Sequence, residues 1–258
     1  MRENQLKARI KRGESVIGTF VKIKDPLVVE VLALAGFDFF VLDTEHVAMD
    51  RMELTNILRA AECFGITPLV RVRENQQVEI LQNLDLGYMG VQVPDVDTAQ
   101  QAEELVQSVK YYPRGVRGLS PSVRACDYGT DKVSEYIAKA NENTMVVAHC
   151  ESGECVKNLD EILKVEGVDV IFIGPMDLSQ SLGVPGDTGS EIVQSTVNTV
   201  FEKVAKSDKA IGTTAGNAEA ARKLIARGAQ YILLASDQAM ILNWGKKTLA
   251  DIRAAKEG

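Results

Sequence analysis

Two histidines occur in the whole chain, and each follows a short apolar run. His46 comes after Phe39-Phe40-Val41-Leu42, within Asp43-Thr44-Glu45-His46. His149 comes after Met145-Val146-Val147-Ala148 and precedes Cys150-Glu151. Short apolar runs read as buried strands, and in α/β folds reactive groups gather where such strands end. The chain's scarcest general base therefore stands twice where an active site is built, with carboxylates beside it.

Other polar residues occupy equivalent places. Arg71 ends Pro68-Leu69-Val70-Arg71, where a guanidinium that faces a pocket can neutralise a carboxylate or a developing oxyanion. Its plainer reading is a partner for an internal acid. Glu151 and Asp177 follow neighbouring apolar runs. Two hard oxygen ligands with open positions beside them suit Mg²⁺ or Mn²⁺. Either alone reads first as a helix cap or a salt-bridge partner; together on adjacent strands they favour a metal. His46 is a candidate base, with Asp43 and Glu45 near enough in sequence to orient its ring. Thr213, Thr214, Ser236 and Asp237 complete the set at the ends of the last two runs.

The elements that must position these residues are legible from a recurring unit of helix, glycine, short turn and apolar strand. Gly36, Gly87, Gly167 and Gly228 each begin such a turn, and each suits a left-handed helix C-cap. Asp25-Pro26 reads as N-cap plus N1 proline. Asp50 to Glu53 and Asp97 to Gln100 read as capping boxes, and Asn217 opens a further helix. Strands are expected at 16–20, 38–42, 67–71, 89–93, 144–148, 169–173, 209–213 and 230–235. Two helical stretches flank Arg114-Gly115-Val116-Arg117-Gly118 between strands four and five. That segment lacks the Lys-Ser/Thr ending of a phosphate loop and reads as a turn.

Eight strand–helix units in 258 residues predict one (β/α)8 TIM barrel, a single domain over 1–258. A doubly wound sheet fits less well, because the first strand leads into Val21-Lys22-Ile23-Lys24-Asp25 without a glycine-rich turn. The composition, 45% hydrophobic and 25% charged with net charge −7, supports a full core and disfavours nucleic acid as a partner. The apolar runs are too short to span a bilayer. The N-terminus has no apolar signal region. Cys63, Cys126, Cys150 and Cys155 follow no zinc spacing and suit reduced thiols in a cytoplasm.

Several motifs in this order resemble the HpcH/HpaI aldolases, the metal-dependent class II pyruvate aldolases of the phosphoenolpyruvate/pyruvate barrels. They are Ala35-Gly36-Phe37-Asp38, Asp43-Thr44-Glu45-His46, Leu84-Asp85-Leu86-Gly87, Val93-Pro94, Arg117-Gly118, Asn158-Leu159-Asp160 and Phe172-Ile173-Gly174-Pro175-Met176-Asp177-Leu178-Ser179. The resemblance implies a carbon–carbon lyase that makes or cleaves 4-hydroxy-2-oxo acids through a pyruvate enolate. It implies Glu151 and Asp177 as ligands of a divalent metal (Mg²⁺, Mn²⁺ or Co²⁺) that chelates pyruvate. His46 is then the catalytic histidine, supported by Asp43. Arg71 stabilises the enolate, and the backbone at Met176-Asp177 receives the substrate carboxylate. Asp85 matches a position near a subunit interface. The family habit is a hexamer, a trimer of dimers, with the C-terminal helix exchanged between neighbours.

No lysine is placed for a Schiff base; Lys22 lies on a different element from that chemistry. The departures are His149 where relatives have glutamine, Phe20 for tryptophan, Thr213-Thr214 for an apolar pair, and Asp95 for an apolar residue. They put the acceptor aldehyde in question more than the enolate. His149 and Thr214 join the expected substrate-binding set, although His149 is equally readable as an outer-shell or packing residue. A citrate-synthase-like or decarboxylating enzyme that keeps the metal and Arg71 is the alternative, followed by a non-catalytic oxo-acid-binding barrel.

Overall fold

Eight parallel strands hydrogen-bond in sequence order and the last closes onto the first. They are β1 (Val16–Val21), β2 (Phe39–Asp43), β3 (Thr67–Arg71), β4 (Gly90–Val93), β5 (Met145–Cys150), β6 (Val170–Ile173), β7 (Ala210–Ala215) and β8 (Tyr231–Ser236). The computed structural model describes residues 3–130 and 132–254. Before β1 comes α1 (Gln5–Lys11). Between strands lie α2 (Pro26–Leu34), α3 (Arg51–Phe64), α4 (Gln77–Leu86), α5 (Ala99–Val109), a 3-10 turn at Arg124–Gly129, α6 (Val133–Asn143), α7 (Gly153–Ile162), α8 (Pro175–Ser181), α9 (Glu191–Val204) and α10 (Ala218–Ala226). The helix α11 (Asp237–Ala254) follows β8. The (β/α)8 expectation holds, and each strand falls within two residues of its expected bounds. None of the described helices is long and apolar enough to cross a membrane.

The turns form for the reasons their residues suggest. Gly36, Gly87, Gly167 and Gly228 have φ of 92°, 116°, 96° and 99°, a region open to glycine at no steric cost. Asp25 caps α2 by accepting from the Leu27 amide, with Pro26 at N1. The Asp50–Glu53 capping box is complete. The expected box at Asp97–Gln100 is shifted by one residue: Thr98 caps α5, and Gln101 reaches back to the Thr98 amide. The Thr98 hydroxyl makes the cap, while the Asp97 carboxylate accepts from Ser152.

Strand alternation sorts side chains into two layers. On β2, Phe39 and Val41 join the barrel interior with Leu69, Val147, Phe172 and Leu233. Phe40 and Leu42 face outward into the larger core under the helices. Leu6 and Ile10 of α1 close the lower end. Glycines make room for the interior rings: a Cβ on Gly18 would meet the Phe39 ring at 2.5 Å. Phe39 in turn packs on Tyr231, their centroids 4.5 Å apart. Gly18→Ala is expected to lower stability by about 1–3 kcal/mol through overpacking. An unchanged denaturant midpoint would show that the interior has slack.

Candidate functional site

The same alternation delivers charge to the upper end of the barrel. Two residues beyond Val41 is Asp43, two beyond Leu69 is Arg71, and two beyond Phe20 is Lys22. Asp43 and Arg71 are register partners on adjacent strands. Arg71 grips the Asp43 carboxylate with two parallel bonds, Nε to Oδ1 at 3.1 Å and Nη2 to Oδ2 at 2.8 Å. Lys22 Nζ lies 3.1 Å from Asp43 Oδ2. Arg71 Nη1 is 3.0 Å from Glu45 Oε2, and the guanidinium sits 4.6 Å above the Phe20 ring. Lys22, set aside on sequence grounds, therefore belongs to the site. Its backbone amide and that of Ile23 are held by the buried Asp237 carboxylate, at 2.9 and 2.8 Å.

Asp43 does not orient the His46 ring as expected. Its oxygens are taken by Arg71, by Lys22, and by the backbone N–H groups of Glu45 and His46, both at 3.2 Å. The carboxylate near the ring is that of Glu45, with Oε2 3.9 Å from His46 Nε2. The His46 side chain is 52% exposed. Burial alone would push the Asp43 pKa up. The bonds and charge of Arg71, the His46 amide and Lys22 outweigh it and hold the carboxyl below its ordinary range. For Glu45 burial prevails over Arg71 and His46, and the pKa is raised.

The opposite half of the mouth is acidic. Glu151 follows β5, and one of its oxygens lies where a Cβ on Gly174 would be, 2.4 Å away, at the end of β6. Asp177 is not on a strand end; it stands exposed in the first turn of α8, with Met176 beside it. That turn is pinned by the buried Ser179 hydroxyl, which donates to the Met176 carbonyl at 2.6 Å and accepts from the Gly186 amide. Asp95, singled out as a departure, joins them. Its pKa is raised by burial and then by Glu151, Asp97 and Asp177, with His149 opposing. Glu151 shifts the other way. Burial would raise it, and His149, the Asp95 amide and Arg71 together outweigh burial and bring it below the usual range.

Among the described residues, no group of three or more His, Cys, Asp or Glu forms a ready-made cage. Glu151, buried at 5% exposure, and Asp177, exposed on α8, instead offer two carboxylates, and the repulsion both exert at Asp95 marks an excess of negative charge. Mg²⁺ and Mn²⁺ suit such a site, because they keep water and substrate oxygens among their ligands. The donor set fits a divalent ion.

Two expected substrate contacts separate here. Thr214 is exposed on β7, whereas the Thr213 hydroxyl is spent on the Ile173 carbonyl. His149 is 1% exposed and both ring nitrogens are engaged by Gln92 and Glu151. β5 runs on to Cys150 and so places His149 in the barrel wall. Arg117, in the glycine-flanked turn, is likewise structural. It pairs with Asp85 at 2.7 Å and lies over Tyr111.

The depressed carboxylates fix a pH dependence. A folded-state pKa below the unfolded value adds stability above about pH 4, lost as pH falls through the lower folded value. Asp43→Asn should flatten that acid slope and cost about 3–5 kcal/mol at neutral pH by leaving buried Arg71 without its bidentate partner. Denaturation series from pH 6 down to pH 3 test both parts.

Comparison with known proteins agrees with this architecture. The family model described as HpcH/HpaI aldolase/citrate lyase matches residues 16–243. A 5-keto-4-deoxy-D-glucarate aldolase of Escherichia coli O157:H7 is 37% identical over 234 residues, 91% of each chain. A 2-keto-3-deoxy-L-rhamnonate aldolase of Escherichia coli O9:H4 is 34% identical over 256 residues, 99% of this chain and 95% of that one. The crystal structure of the citrate synthase SbnG is 38% identical, with a TM-score of 0.89 over 98% of this chain and 99% of that one. With a closed parallel barrel, a family model matching residues 16–243 and these relatives covering nearly the whole length, the chain belongs to the HpcH/HpaI aldolase/citrate lyase family.

Proposed function

We propose that the barrel mouth is the active site of a class II pyruvate aldolase, a cytoplasmic carbon–carbon lyase acting on 4-hydroxy-2-oxo acids. The observation that carries this is the division of charge. Arg71 and Lys22 stand on the β1–β3 side, and Glu151, Asp177 and Asp95 on the β4–β6 side. An enolate needs positive charge at its oxygen from both directions. Glu151 and Asp177 would hold a divalent ion, Mg²⁺, Mn²⁺ or Co²⁺. When bound, that ion supplies Lewis acidity to the carboxylate and keto oxygen of pyruvate.

The chain's own residues do the rest. Arg71 is locked by Asp43 and Glu45, so its remaining N–H groups are preorganised toward an oxyanion. His46, exposed beside Glu45, moves the proton of the aldehyde-derived hydroxyl. The backbone at Met176-Asp177 receives the substrate carboxylate, and Thr214 faces the acceptor aldehyde. A second reading is favoured by one observation: the citrate synthase matches over almost the full length of both chains. On that reading this chain would keep the same enolate machinery and change the acceptor.

The test is pyruvate release from a panel of 4-hydroxy-2-oxo acids. Turnover should stop on chelation and return with Mg²⁺, Mn²⁺ or Co²⁺. Arg71→Lys should lower kcat about 100- to 1,000-fold. Full activity of chelated Glu151→Ala would sink the metal reading. Metal-dependent exchange of pyruvate methyl protons without aldol turnover would favour the condensing enzyme.

The hexamer and the exchanged C-terminal helix belong to the same proposal. In α11 the one buried residue is Asp237, while Ile241, Leu242, Trp244, Leu249 and Ile252 are exposed. An apolar helix face of this size supports docking on another subunit. Trp244→Glu with Ile241→Glu should shift the mass seen by light scattering toward smaller species. An unchanged mass would remove α11 from the interface.

A further inference from the structure

Four buried polar side chains cross the barrel interior in one hydrogen-bonded row. On β8 the Tyr231 hydroxyl donates to Gln92 Oε1 at 2.8 Å. On β4 the Gln92 amide nitrogen meets His149 Nε2 at 2.7 Å. On β5 His149 Nδ1 lies 2.8 Å from Glu151 Oε2. The polarity of the row follows from its first member. A hydroxyl that gives its proton to the amide oxygen leaves the amide nitrogen to donate to Nε2. A neutral imidazole that accepts at Nε2 carries its proton on Nδ1, aimed at the carboxylate.

Packing holds the row in place. The His149 ring lies on Phe172 at 4.9 Å and 31°, and Phe172 meets Tyr231 edge-on at 6.0 Å. Tyr231 and Gln92 are fully buried, His149 is 1% exposed and Glu151 5%. The second Glu151 oxygen accepts from the Asp95 amide at 3.2 Å. Asp95 reaches it with φ of 53°, a conformation that costs energy in a residue other than glycine. Barrel interiors are filled mainly by branched aliphatic side chains. A polar row there is tolerated only if every member is satisfied, and this one is. Tyr231, Gln92 and His149 lie below the mouth, each 1% exposed or less. Their single outlet is Glu151.

We infer that Tyr231, Gln92 and His149 are positioning residues that aim Glu151 at a divalent cation, the His149 N–H setting the cation affinity of the site. The inference rests on the reading of Glu151 as a cation ligand. Hydrogen-bond partners of ligating groups fix their orientation, and losing one commonly weakens binding about 10- to 100-fold.

The experiment is Mn²⁺ titration of the full-length protein without substrate, followed by electron paramagnetic resonance of the free ion. Thermal unfolding of each variant reports its fold. His149→Leu should weaken Mn²⁺ binding about 10- to 100-fold. His149→Asn, whose amide nitrogen can occupy the place of Nδ1, should recover most of the loss. Tyr231→Phe keeps the ring packing but frees the Gln92 amide to turn over, and it should also weaken binding. Wild-type affinity in folded His149→Leu or in Tyr231→Phe would overturn the inference, as would His149→Asn that binds no better than His149→Leu. If His149→Leu does not fold, Tyr231→Phe decides. Unchanged binding in Glu151→Ala would instead overturn the reading of Glu151 itself.

Discussion

The Asp43–Arg71 pair is the interaction on which the site depends. Strand register brings the two residues together at the top of β2 and β3, where both side chains are buried. Removing two charges from water costs several kcal/mol per ion, and the loss is offset only by close geometry and further hydrogen bonds. Here Asp43 receives two bonds from Arg71, two from backbone amides and an ion pair from Lys22. One carboxylate thus ties the ends of β1, β2 and β3 together and sets the start of the loop that carries Glu45 and His46. The Thr44 hydroxyl strengthens the junction by donating to the Arg71 carbonyl at 2.6 Å. Arg71 emerges with one edge committed to Asp43 and one nitrogen against Glu45, its orientation set before any substrate arrives.

That commitment explains why the two halves of the mouth behave differently. The basic half is internally neutralised, because Asp43 and Glu45 answer Arg71 and Lys22. The acidic half has no such answer: Glu151 has the His149 ring and an amide, and Asp95 faces other carboxylates. Arg71 still acts across the mouth, since its charge helps to hold Glu151 in its ionised form. A cation bound on the acidic side would complete a balance that the protein leaves open on that side alone.

Much of this was legible before the fold was known. Apolar runs and the glycines that precede them locate all eight strands, because a closed parallel barrel has few ways to begin a strand after a helix. Asp43, Arg71 and Glu151 were visible as polar residues ending apolar runs. Strand length was harder to read. β5 continues through His149 to Cys150, so a polar residue that looks like the first of a loop is the last layer of the interior. Period-two alternation was the signal that could have shown this, since His149 falls in phase with Met145 and Val147. The same count places Lys22 in phase with Phe20. What no local pattern contains is the pairing of Tyr231, Gln92 and His149, whose residues come from three strands and meet only when the barrel closes.

The departures from the family pattern therefore divide by depth. Phe20 lies beneath Arg71, and His149 lies beneath Glu151. Both touch groups to which the proposed function assigns the enolate chemistry, and neither faces solvent. Asp95 and Thr214 are exposed at the mouth. A change in a buried member alters how firmly a catalytic group is held, because its contacts are all within the protein. A change in an exposed member alters what the pocket accepts. An imidazole at position 149 suits the first role well: it is rigid, it stacks on Phe172, and its nitrogens engage Gln92 on β4 and Glu151 past the end of β5. Under the proposed function, selectivity for the acceptor would rest with Asp95 and Thr214, and the firmness with which Arg71 and Glu151 are held with the layer below them.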